Sequence, residues 1–179
     1  MTNESLNKAS QVVFMATCVA LVALASVMVL RSSSVTATPG TTPVEPSKPL
    51  AAGTKVSQLD GVDFSKAPVT VALVLQSQCP YCAASMGFYK RLVEFKKDAP
   101  FQLVVTSMES TKTTESYLKD KGLQADGISN LKPGQISTPG TPTLVLLDKR
   151  GVVVDSWIGQ LSASQEHEVT SRIKAAAKG

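Results

Sequence analysis

Histidine occurs once in this 179-residue chain, tryptophan once and cysteine three times. So few soft ligands exclude a structural zinc site, which takes four, as two Cys-x-x-Cys pairs or one pair with two histidines. Cys18 lies in an apolar segment far upstream of the other two cysteines and His167 in a late polar stretch, so neither completes a set. Excess charge is also small, at +4. Lys90, Arg91, Lys96 and Lys97 cluster, but Glu94 and Asp98 are interleaved and no aromatic platform accompanies them. That pattern reads as a solvated helix face, and no nucleic-acid partner is expected.

The other two cysteines form Cys79-Pro80-Tyr81-Cys82. The motif sits where a β-branched apolar run, Val69-Thr70-Val71-Ala72-Leu73-Val74-Leu75, gives way to a helical pattern over residues 83–97. A helix that begins near Cys79 leaves its first N–H groups unpaired and carries partial positive charge there, which favours thiolate, the nucleophilic form of a sulfur. Pro80 suits the first helical turn, because the N–H it lacks would be unpaired anyway. Spacing of three puts Cys82 on the same face one turn further in, where it can attack a mixed disulfide formed on Cys79. Cys79 is the candidate attacking thiol and Cys82 the candidate resolving thiol. A purely structural disulfide is a poor reading, since so short a loop restrains the unfolded chain little. Two rival classes remain: a module holding Cu(I) between two soft thiolates, and a tethered binding domain without catalysis.

Further along, Gly140-Thr141-Pro142-Thr143-Leu144-Val145-Leu146-Leu147-Asp148 is followed by Lys149-Arg150-Gly151-Val152-Val153-Val154 and Ser156-Trp157-Ile158-Gly159. The order is a proline-led strand, a glycine turn, a partner strand and a glycine before a closing helix. Together with the cysteine pair, it resembles the thioredoxin superfamily over residues 54–176. The resemblance implies that Pro142 is cis and faces the cysteines, and that Thr141 offers its backbone to a substrate strand. Pro80 and Tyr81, between the cysteines, join Thr141 and Pro142 as candidate substrate-binding residues. No metal and no small cofactor is implied, because electrons reside in the Cys79/Cys82 pair and pass by mixed-disulfide exchange. The implied partners are protein thiols and disulfides, with a second dithiol protein as redox partner. Residues 52–64 look like the N-terminal hairpin of envelope redoxins, with Asp60-Gly61 as its turn. The chain departs from the family at Gln78, where such proteins often carry Trp, and at Leu73, where many thioredoxins bury an acid. Peroxidase chemistry is disfavoured, since Gln76 stands where the peroxiredoxin pattern has Thr. Copper chaperones of this fold usually have a longer cysteine spacing and a late-loop histidine, for which His167 is misplaced.

Residues 12–30 are nineteen uncharged, mostly apolar residues, ended by Arg31. The run is longer than the 7–15 or so residues of a signal-peptide core, so an uncleaved anchor is favoured over cleavage near Val35-Thr36-Ala37. Lys8 and Glu4 before the run and Arg31 after it leave orientation to other evidence. Pro39, Pro43, Pro46 and Pro49 make residues 32–53 an extended tether. The expected organisation is a short tail at 1–11, a transmembrane signal anchor at 12–31, a linker at 32–53 and a thioredoxin-like domain at 54–179. The expected fold is α/β, a central mixed sheet of four or five strands flanked by helices, behind an N-terminal transmembrane helix. Two cysteines in one catalytic spacing suit a compartment where exported proteins have disulfides made, reduced or reshuffled. The domain is therefore placed on the outer side of the cytoplasmic membrane, facing periplasm or exterior. The expected activity is thiol-disulfide exchange with envelope proteins. Reduction is the favoured direction, since Pro80-Tyr81 adds no charge or histidine to stabilise a thiolate strongly.

Coarser expectations complete the map: a buried strand at 101–106, a helix at 114–121 stopped by Gly122, and a loop-rich stretch at 125–139 holding one short strand. Ser162-Ala163-Ser164-Gln165 reads as a capping box for a last helix whose core side carries Val169 and Ile173. Trp157 is expected to pack on a strand, and His167 to stand exposed on that helix.

Overall fold

The apolar run at residues 69–75 is buried on both sides, as a strand in the middle of a two-faced sheet must be. In a computed structural model describing residues 50–56 and 58–179, it forms β1 (Val69–Val74). The expected tail, the membrane-spanning segment 12–31 and most of the tether lie outside the described residues. Among those described, no helix is long and apolar enough to cross a membrane.

Four more strands complete one sheet: β2 (Gln102–Ser107), β3 (Gly127–Asn130), β4 (Thr143–Asp148) and β5 (Val153–Ile158), in the order β3-β2-β1-β4-β5. β2 is parallel to β1, with Thr70 opposite Gln102, and β3 is parallel to β2, with Val104 opposite Gly127. β4 and β5 are antiparallel additions, with Val69 opposite Asp148 and Thr143 opposite Ile158. The sheet is mixed and five-stranded, as the α/β reading required.

Side chains alternate between two separate cores. Val71, Leu73, Leu103, Val105, Leu144 and Leu146 enter one cluster, and Ala72, Val74, Val104, Val145 and Leu147 the other. The helices are α1 (Pro80–Ala84), α2 (Met86–Glu94), α3 (Thr111–Lys121) and α4 (Ala163–Ala176). Their buried apolar residues, among them Cys82, Leu92, Leu118 and Ile173, all join the first cluster. Crossover handedness gives the reason. The path β1 to β2 to β3 steps the same way across the sheet twice, so two right-handed crossovers place α2 and α3 on the same face.

The other face is closed by irregular chain: Val56, Leu59, Val62 and Phe64 from the N-terminal segment, and Leu131 and Ile136 from the loop before β4. Here the expected hairpin at 52–64 is not what forms. Asp60 and Gly61 do turn, with Val62 N donating to Leu59 O at 3.1 Å, but among the described residues the flanking ones do not pair with each other. Lys55 instead bridges Val152, Gly53 N donates to Val153 O at 2.8 Å, and Val56 N donates to Gly151 O at 2.9 Å. Chain near β5 offered more open backbone than a self-paired hairpin of few residues. Gly151 is required at that junction: its φ is +75°, and a Cβ there would stand 2.8 Å from the Phe64 ring.

Most other boundaries fall near their expected positions. The helical pattern expected over 83–97 begins at Pro80 and breaks at Ser85, whose hydroxyl donates to the Tyr81 carbonyl at 2.8 Å. It ends in a 3-10 turn at Phe95–Lys97. α3 starts one turn earlier than expected, because Ser110 caps Thr113 N, and it stops at Gly122 in the left-handed conformation. Both halves of the capping box at Ser162 and Gln165 are present. Trp157 is buried and His167 is exposed. Two of the four clustered cations are engaged in ion pairs, Arg91 with Glu166 and Lys96 with Asp126.

Candidate active site

β1 delivers the chain to the C-terminal end of the central strand, where a turn closed by Cys79 N donating to Gln76 O at 3.2 Å hands it to α1. Cys79 is the N-cap of α1, with φ −80° and ψ 115°, and Pro80 takes the first helical position. At that cap the sulfur does what Ser or Asp does at other helix starts. Its Sγ accepts from Cys82 N at 3.3 Å, satisfying one of the helix's orphan donors. Cys79 is half-buried and Cys82, inside the first turn, is fully buried in the helix-covered core. Both are free thiols.

The two sulfurs differ in acidity as well as access. Burial pushes the Cys79 thiol up, but hydrogen bonds involving the Cys82 and Thr141 side chains and the Cys82 and Tyr81 N–H groups outweigh it, so its pKa falls below the ordinary thiol value. For Cys82 burial wins, reinforced by its hydrogen bond with Cys79, and the pKa is pushed up to about 12. The structure thus separates a more acidic, partly exposed sulfur from a less acidic, enclosed one. Leu73 is fully buried in the same core beneath them, so the strand leading into the motif supplies no acid to take a proton from Cys82.

Thr141 and Pro142 arrive from the far side of β1, on the chain entering β4, and their peptide bond is cis. The Cys79 thiol donates to the Thr141 carbonyl at 3.2 Å, which brings the two separated motifs into direct contact. Pro142 is buried, and its carbonyl accepts from Gly159 N at 2.7 Å. The loop before it is braced by hydroxyls: Thr138 Oγ1 lies 2.6 Å from Thr143 Oγ1, and Thr143 Oγ1 donates to Gly140 O at 2.8 Å. The sequence-predicted residues Cys79, Pro80, Tyr81, Cys82, Thr141 and Pro142 are therefore gathered around one sulfur.

Two surface features stand beside it. The large hydrophobic side chains exposed among the described residues are Tyr81, 61% exposed within the motif, and Met108, 65% exposed after β2. Met108 lines an apolar groove with Val74, Leu131, Ile136 and Thr141, so the groove opens against the backbone that touches Cys79. Sequence reading missed Met108 and Ile136, which reach the site only through folding. It also missed Glu109 and Ser77, joined across 32 residues by hydrogen bonds. Among the described residues no three metal-ligating side chains come together, and none of them gives the pair a third ligand.

No family model matches the chain, and no curated protein matches it. Solved structures do. One, assigned as the thiol:disulfide interchange protein DsbE of Chlorobium tepidum, is 24% identical with a TM-score of 0.51, over 74% of this chain and 94% of that one. A thiol-disulfide isomerase from Corynebacterium glutamicum is 14% identical, TM-score 0.51, over 72% of this chain and 96% of its own. A thiol:disulfide interchange protein from Bacteroides sp. is 14% identical, TM-score 0.55, over 73% and 92%. At these identities what is established is the fold: the chain is a thioredoxin-fold protein.

Proposed function

We propose that the chain is a thiol-disulfide oxidoreductase acting on other proteins through Cys79 and Cys82. The observation that carries the reading is the position of the Cys79 sulfur, which touches both Cys82 N at 3.3 Å and the Thr141 carbonyl at 3.2 Å. A substrate strand laid along Thr141 would bring its disulfide to the one thiol that is reachable and acidified. The Cys79 thiolate attacks one substrate sulfur, forming a mixed disulfide and releasing the other as thiolate. Cys82 then gives its proton to the released substrate thiolate and attacks Cys79 Sγ, which breaks the mixed disulfide, forms the Cys79–Cys82 disulfide and releases the second substrate thiolate. Two electrons pass to the substrate and no further reactant is needed.

Polypeptide substrates are supported by the apolar groove at Thr141 and by exposed Tyr81 and Met108, which fit side chains flanking a cysteine. Thiol-disulfide exchange in the names of similar folds points the same way. Reduction is the direction favoured, because a thiolate held by ordinary hydrogen bonds, with no cationic neighbour in the motif, does not stabilise the dithiol strongly. The domain would work outside the cytoplasmic membrane, tethered through residues 12–31, recharged by a second dithiol protein.

The test is trapping. Cys82→Ser should keep the first step and lose the second, so cells expressing it should accumulate mixed disulfides on a non-reducing gel that collapse with reductant. Cys79→Ser should accumulate none. Absence of adducts from both variants, with tight Cu(I) binding by the parent protein, would favour the metal-carrier reading instead.

A further inference from the structure

Glu109 lies between the end of β2 and the Ser110 cap of α3, yet its carboxylate serves the turn that carries the nucleophile. Oε2 accepts from Ser77 N at 2.9 Å and Oε1 accepts from Ser77 Oγ at 2.7 Å, so both oxygens grip one residue. Ser77 stands inside the turn that Cys79 N closes on Gln76 O, two positions before the reactive sulfur. Glu109 is itself held on two sides. The Ser107 hydroxyl at the end of β2 donates to Oε2 at 3.3 Å and accepts from Glu109 N at 3.1 Å, and Asn130 Nδ2 at the end of β3 donates to the Glu109 carbonyl at 2.7 Å. Two strand ends are thereby tied, through one carboxylate, to the loop that aims Cys79.

We propose that Glu109 is the positioning residue for Cys79, fixing the 76–79 turn so that Sγ meets the Cys82 N–H and the Thr141 carbonyl. The proposal rests on the oxidoreductase reading but goes beyond it, naming a residue that touches neither sulfur in these hydrogen bonds. A carboxylate suits this grip best. Its two oxygens accept from both Ser77 donors in charge-assisted bonds, whereas an amide has one acceptor oxygen and no charge, and meets the Ser77 hydroxyl only through a weaker neutral bond in which the hydroxyl accepts. Burial pushes the Glu109 carboxyl up, but the Ser77 and Ser107 hydrogen bonds outweigh it and hold it below the usual carboxylate range, so the grip stays closed at working pH.

The test is the pH profile of Cys79 alkylation by iodoacetamide in the full chain in detergent micelles, read by mass mapping. This needs no protein substrate, so it fails or succeeds independently of trapping. Loosening the turn withdraws the Cys82 N–H from the sulfur. Glu109→Gln should therefore move the Cys79 midpoint to higher pH and slow alkylation below the midpoint by about fivefold, the worth of one ordinary hydrogen bond. If Glu109 acted as a nearby negative charge alone, removing it would favour the thiolate and alkylation would speed up. A faster or unchanged rate overturns the proposal. Ser77→Ala, which removes one of the two donors and leaves the core intact, should slow alkylation in the same direction by less. The double variant should be no slower than Glu109→Gln alone, since both changes open the same contact; additive losses overturn the proposal even if the single Glu109 variant folds poorly.

Discussion

The two faces of the sheet are built by different means. The face that holds Cys82 is closed by helices, with α2, α3 and α4 all contributing to one core. The opposite face is closed by turns and irregular chain, where residues 53–64 and 131–136 are fastened to strand edges by backbone bonds and a few buried side chains. The cysteine pair sits at the end of the helical face, while the apolar groove, lined by Val74, Leu131 and Ile136, belongs to the irregular one. A sulfur whose acidity depends on several hydrogen bonds at one helix start needs that start held rigidly, whereas a surface that accepts a partner's side chain can be made of loop. Cys79 and Thr141 are where the two constructions meet.

The largest effect should appear on the helical face, between the two sulfurs. Only thiolate reacts with iodoacetamide, so a lowered pKa moves the Cys79 profile to lower pH and a raised one moves that of Cys82 to higher pH. At neutral pH the native reduced protein should be alkylated at Cys79 about a thousandfold faster than at Cys82, since enclosure and a pKa of about 12 act together. Cys79→Ser should leave a Cys82 that scarcely reacts until the domain is unfolded. Comparable modification of both residues in native protein would erase the division of labour.

Stability changes should separate the faces next. Leu92→Ala removes a fully buried side chain from the helical core and should cost about 3 kcal/mol in urea unfolding. Gly151→Ala forces a left-handed backbone onto alanine and drives its Cβ into Phe64, which should cost about 2 kcal/mol. The distinguishing measurement is hydrogen exchange. Leu92→Ala should loosen amides throughout the sheet, whereas Gly151→Ala should loosen Val56 and Val153 first and leave Leu103 and Val105 protected. Equal loss everywhere would mean the irregular face is no separate unit.

What the sequence disclosed follows the same division. Signals carried within a few residues were legible: the cysteine spacing, Pro80 at a helix start, the Ser162 capping box, Gly122 as a helix stop, and the apolar runs that became β1 and β4. The helix break at Ser85 was hidden because a serine inside a helical pattern looks neutral until its hydroxyl is seen on the Tyr81 carbonyl. The hairpin expectation failed because Asp60-Gly61 specifies a turn but not what its arms pair with, and β5 was the better partner. Glu109 left no trace, since a contact made across 32 residues has no local pattern. The Pro142 site was found only through resemblance to a family, because nothing near Thr141-Pro142 in the chain says what it will face.

The smallest expected effect is also the one that tests whether the irregular face serves substrates. Met108 is 65% exposed, so it contributes little to the core, and replacing it should alter stability by no more than about 0.5 kcal/mol. It nevertheless lines the groove that runs to Thr141. Met108→Lys places a cation where a partner's apolar side chain would lie, and burying that charge is costly. Reduction of peptide disulfides with Leu or Phe beside the cysteine should show a KM raised about fivefold with kcat unchanged, the pattern of lost uniform binding. Peptides with Glu at that place should be affected less, or helped, because the new ammonium can pair with them. A fall in kcat with KM unaltered would put Met108 with the chemistry of the helical face. No change for any peptide would leave the groove without a part in substrate binding and the substrate strand resting on Thr141 alone.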